Sequence, residues 1–158
     1  MSHVRLGRVL ISLALVASAS LAGIAAGGPA SASTAATCSV FNVAITGTGT
    51  MSGCTDTANT GGSGTFKATI KKSPYSAVFT WKGTGTTTSS LTYSSPKTSI
   101  CPKTETEILI KGAVTGGTGA ALKSIPKKTV VSAIECYNPN QKNKALALTL
   151  AKGQLLHI

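Results

Sequence analysis

The chain has 158 residues, enough for one domain, and its 15 lysines and arginines against 4 acids give a formal charge of +11 although only 12% of the residues are charged. So basic a balance suggests nucleic acid at first sight. The distribution argues otherwise, because both arginines, Arg5 and Arg8, stand at the N-terminus.

Those arginines precede an apolar run over 9–26, which leads into small residues ending in Ala30-Ser31-Ala32. A basic start, an apolar stretch and an A-x-A site in that order predict a secretory signal peptide over 1–32, cleaved after Ala32. Serines and glycine dilute the run too much for a retained anchor, and Cys38 lies too far beyond it for a lipoprotein. The mature chain, 33–158, then has 13 lysines, no arginine and a charge of +9. No later apolar stretch is long enough for a transmembrane segment.

Export also sets the reading of the cysteines. Cys38, Cys54, Cys101 and Cys136 are an even set in a small secreted chain, which predicts two disulfides. Three connectivities exist. Sequential pairing, Cys38–Cys54 and Cys101–Cys136, is the one we expect. Without a C-x-x-C pair, and with His157 the only mature histidine, no metal is expected.

Short apolar and threonine-rich segments between Gly, Pro and Lys punctuation predict strands at 41–50, 64–71, 76–81, 86–94, 106–115, 119–125, 129–137 and 144–151. A final strand follows at 154–158, across a Lys152-Gly153 turn. Two stretches of the chain also resemble each other. Residues 71–81 and 127–137 share the pattern KK[ST]xxSA[VI]xx[WY]; GGSGTFKATI (61–70) resembles GGTGAALKSI (116–125), and 49–53 resembles 112–116. The expected architecture is all-β: an antiparallel sandwich or an up-and-down barrel of 8–9 strands, in one domain over 33–158 built from similar halves at about 38–96 and 101–151.

Catalytic chemistry is sparse. His157 reads as an edge-strand residue, and Asp56 is the only aspartate available to it for a triad. Glu105 and Glu107 read as charge balance for Lys103 and Lys111, and Glu135 as an exposed residue or the partner of a lysine. Asp56 and Asn59 read as a turn rather than a calcium site. We therefore expect a protein that is not an enzyme and uses no cofactor. The candidate binding residues are the matched lysines Lys71, Lys72, Lys127 and Lys128, and the aromatic pair Trp81 and Tyr137. Nucleic acid is not the expected partner, since base reading favours arginine and stacking needs clustered aromatics.

The signal peptide, the Gly-Ser-Gly-Thr runs, G-x-x-S-G-C at Gly49 to Cys54, the single tryptophan and the four cysteines resemble small, uncharacterised, secreted β-rich proteins of actinobacteria. The resemblance implies an address and a fold class. Four functions are expected, in order, with a hydrolase last. The first is envelope association through lysine-rich loops that meet a simple polyanion such as an anionic cell-wall polymer. The second is inhibition of, or attack on, an extracellular protein, with Tyr75 presented on the Lys72-Ser73-Pro74 turn. The third is carriage of a small molecule in an apolar cavity lined by Trp81 and Tyr137.

Overall fold

The structure is a computed structural model that describes residues 35–56, 62–69, 72–97 and 99–158. The expected leader and cleavage site, Asn59, Lys71 and the side chain of Asp56 lie outside that description. The strands are β1 (Ala36–Val43), β2 (Thr48–Asp56), β3 (Ser63–Thr69), β4 (Tyr75–Trp81), β5 (Gly85–Ser94), β6 (Thr106–Thr118), β7 (Val130–Tyr137), β8 (Leu148–Leu150) and β9 (Leu156–His157); a helix, α1 (Gly119–Ser124), separates β6 from β7.

Each strand from β1 to β8 pairs antiparallel with the next, and β8 pairs back to β1, closing an eight-stranded up-and-down barrel. The barrel, not the sandwich, is the architecture. Closure leaves the ring no edge except at its seam. There β8 pairs with Val43 and Asn42 of β1, while β9 pairs with Cys38 and Thr37 of the same strand and with Ser132 of β7. Lys152-Gly153 therefore does not reverse the chain into a hairpin. It makes an excursion within one closing strand, after which β9 resumes in the direction of β8.

Alternation along the strands fills the interior. Phe41, Phe66 and Phe79 form its centre, with Phe66 5.1 Å from both other rings and Phe79 stacked at 6.5 Å on Trp81. Met51, Leu91, Ile110 and Ala133 complete this layer. On β1 the alternation changes phase, so that Ala36 and Cys38 are buried on one side of exposed Ser39 and Val40, and Phe41 and Val43 on the other.

Three expected strands differ from the structure, the last being 144–151, where Lys144–Leu146 form a 3-10 turn and only Leu148–Leu150 join the sheet as β8. The segment 41–50 is interrupted by the β1–β2 turn, where Gly47 has a φ of 81° that a branched side chain would resist. Segment 119–125 is helical: Gly119, with φ 67°, ends β6, and Ala-Ala-Leu-Lys then favours a turn of helix. α1 lies across one end of the barrel, with Ala121 and Ile125 buried and the Ala121 amide donating to the Thr84 carbonyl at 3.0 Å. Consequently the resembling segments GGSGTFKATI and GGTGAALKSI take different forms, β3 in one case and α1 in the other.

The cysteines form Cys38–Cys54, which joins directly opposed residues of β1 and β2, and Cys101–Cys136. The second bridge pins the β5–β6 linker across the outside of β6 and β7. Glu107 reinforces it by accepting the Ile100 amide at 2.6 Å, and Asn138 Nδ2 donates to Glu105 Oε1 at 3.1 Å. These carboxylates hold loops to the outer wall. Their hydrogen-bond partners are Ile100 and Asn138, not the lysines expected to balance them.

Candidate functional site

The end opposite α1 carries the β1–β2 turn and the β3–β4, β5–β6 and β7–β8 connections, and a cavity of 260 Å³ opens there. Val43, Phe66, Ile108, Ile110 and Leu148 supply its apolar walls, and Ile45, 48% exposed, stands at its lip. All three tyrosines of the chain, Tyr75, Tyr93 and Tyr137, line it too. They come from separate strands. Tyr75 opens β4, Tyr93 nearly closes β5 and Tyr137 closes β7; neighbouring barrel strands alternate in direction, so these positions fall at one end. The rings of Tyr75 and Tyr93 touch, with centroids 4.9 Å apart.

Among these residues lies Glu135. Its place in β7 follows from simple alternation: Val131, Ala133, Glu135 and Tyr137 share the inward face. It is 1% exposed, and its Oε1 has no hydrogen-bond partner. The residue expected at the surface, or in a lysine pair, is thus a barrel-interior acid. Burial among apolar walls pushes its pKa up to about 8, because the charged form cannot be solvated there. Tyr93 is raised to about 12, first by burial and then by the proximity of Glu135 and Tyr75. Acid and phenol therefore sit within electrostatic reach of each other.

Trp81 and Tyr137 do not meet. They occupy matched positions in the two KK[ST]xxSA[VI]xx[WY] segments, but β4 and β7 run in opposite directions around the ring. Trp81 lies toward the α1 end, 1% exposed, with its indole N–H donating to Thr87 Oγ1 at 3.1 Å. It borders a separate hollow of 530 Å³, whose lining of Thr50, Ser63, Gly64 and Lys82 includes no unpartnered buried polar atom among the described residues.

The matched lysines separate in the same way. Lys72, exposed, precedes β4 on the cavity side, whereas Lys127 and Lys128, also exposed, precede β7 at the α1 end. Exposed Lys97, Lys103, Lys142 and Lys144 join Lys72 on the cavity-side connections. Tyr75 is half-buried in the cavity wall and is not the tip of a presented loop. His157 is paired in β9 with Thr37 and Ser132, away from the cavity.

The sequence reading missed Glu135 and Tyr93 as site residues and placed Tyr75 on a presented turn instead of in the cavity wall. The signal was present for Glu135: an acid in phase with Val131 and Ala133 on an otherwise buried strand face. No family model matches the chain, and neither curated proteins nor solved structures give a match. The fold and site define an eight-stranded barrel with one plugged end and one tyrosine-lined mouth.

Proposed function

We propose that the protein is an extracellular carrier that binds a small, largely apolar molecule in the mouth of its barrel. The observation that carries this reading is the cavity itself: apolar walls, three tyrosines and one buried acid at one end of a barrel whose other end is filled. Eight-stranded barrels have room for side chains or for one small ligand. At 260 Å³ this mouth has the volume of roughly nine waters at about 30 Å³ each, which suits a single-ring compound. The two disulfides and the leader-like N-terminus support the extracellular setting. Binding rather than catalysis is supported by the dispersal of the acids, with Glu105 and Glu107 on the outer wall and only Glu135 facing the cavity.

Ethylbenzene, titrated into the disulfide-bonded protein, is expected to shift the ring resonances of Tyr75, Tyr93 and Tyr137 while leaving the Trp81 indole N–H in place. Tyrosine resonances that stay put at saturating ethylbenzene would end the carrier reading.

A second reading is favoured by the lysines around the mouth. Lys72, Lys97, Lys103, Lys142 and Lys144 are exposed on the connections at that end, which makes it basic and able to rest on an anionic surface. Retention on an anionic cell-wall preparation is expected at about 20 mM salt and lost by about 300 mM, as the screening length shrinks. Substituting all five lysines by Gln should remove it, and retention by that variant would exclude this reading.

A further inference from the structure

The carrier reading leaves open the polarity of the ligand. Resting on that reading, we propose that Glu135 is the polar anchor of the cavity: its carboxylic acid, with the neighbouring phenols, donates hydrogen bonds to a carbonyl or similar neutral acceptor on an otherwise apolar ligand.

Three observations converge on this. Glu135 is buried and lines the cavity with Oε1 unpartnered, so a hydrogen-bonding capacity is left for something else to meet. The groups that line the cavity with it come from seven of the eight ring strands. β4 presents the phenol of Tyr75, β5 that of Tyr93 and β7 that of Tyr137; β6 offers Ile108 and Ile110, β8 Leu148, β1 Val43 and β3 Phe66. Among the described residues no lysine or arginine lines the cavity, so no cation there offsets the burial that disfavours the charged form of Glu135. Its carboxyl accordingly keeps its proton in most molecules at neutral pH. A neutral acid and three phenols are all O–H donors, and a lone ligand acceptor is their common complement.

The opposite choice, an ammonium ligand with Glu135 as its counter-ion, meets two obstacles. Both charges would have to be stripped of water in an apolar site, which consumes most of their attraction. The cation would also approach an end whose connections carry exposed Lys72, Lys97, Lys103, Lys142 and Lys144 against Glu105 and Glu107, a net charge of its own sign. A carbonyl compound meets neither.

Three probes of similar shape test the assignment: ethylbenzene, acetophenone and benzylamine, each titrated against the intact protein between about pH 6 and 9. Acetophenone is expected to bind about tenfold more tightly than ethylbenzene at the acid end, as one or two well-placed hydrogen bonds permit. That advantage should shrink as Glu135 ionises, to what the phenols alone supply, while ethylbenzene changes little. Glu135→Gln retains an N–H donor in the same place and should keep the preference for acetophenone with no pH dependence. The outcomes separate the two claims. If ethylbenzene does not bind, the carrier reading falls and this one with it. Equal binding of ethylbenzene and acetophenone leaves the carrier standing and removes the anchor. Benzylamine that binds best, and more tightly as pH rises, overturns the assignment in favour of a cation site. The pH series on the wild-type protein decides this without the variant.

Discussion

Unfolding free energy is expected to fall as the pH is raised from about 5 to 8.5, by several kcal/mol, and Glu135→Gln is expected to abolish most of the fall. The sign follows from proton counting. Glu135 holds its proton in the folded barrel up to about pH 8, whereas in the unfolded chain the same carboxyl has its ordinary value of 4.5. Between those values the native state binds more protons than the unfolded one, so stability declines with rising pH. It is fully present below the unfolded value, is lost progressively up to the folded value, and levels off above it. A gap of this size corresponds to roughly 5 kcal/mol, an order-of-magnitude figure for a fully buried group. For a domain of this length that is a drop in Tm on the order of 15 °C. Melting curves of wild type and Glu135→Gln, recorded together at each pH, check the claim. Parallel curves would show that the carboxyl is already ionised in the folded protein.

The second large effect is expected at Phe79. Its ring lies between Phe66 at 5.1 Å and Trp81 at 6.5 Å, with Phe41 at 6.3 Å, and it is fully buried. Phe79→Ala removes the shared neighbour of all three rings and leaves a void that stiff strands cannot close. We expect a loss of about 4 kcal/mol in denaturant unfolding. Phe79→Leu, which refills most of the volume, should cost less than half as much. A loss under about 1 kcal/mol for Phe79→Ala would mean that the barrel centre collapses readily around the gap. The cavity-side tyrosines lie at one end of the ring and should keep their response to ethylbenzene in Phe79→Leu.

The all-β class was legible because threonine-rich alternating segments with Gly and Pro punctuation leave little room for another fold. Closure into a barrel was not, since it depends on which strands become neighbours at the two ends of the chain. The misread segments have local causes. In 119–125 the likeness to 61–70 suggested a strand, although Ala-Ala-Leu-Lys lacks the branched and aromatic residues of Thr-Phe-Lys-Ala-Thr. In 41–50 the turn at Ala44 to Gly47 is disguised by apolar residues on both sides. The site was obscured for a different reason. Trp81 and Tyr137 align in sequence but not in space, because one match in the chain is a strand and the next a helix, and the odd number of steps from β4 to β7 reverses direction. Glu135 was read by its charge, although the phase of its strand points inward.

The seam between the first strand and the last has a consequence for biosynthesis. Ala35 and Ala36 donate to the carbonyl of Ile158, and β1 finds its second neighbour only in β8 and β9. The ring therefore cannot form while residues 148–158 are still within the ribosome, however early the β1–β2 hairpin appears. Until then the emerging polypeptide is a row of hairpins whose first strand lacks its second neighbour. Completion of the ring waits on the emergence of 148–158, whatever the order in which the hairpins between form.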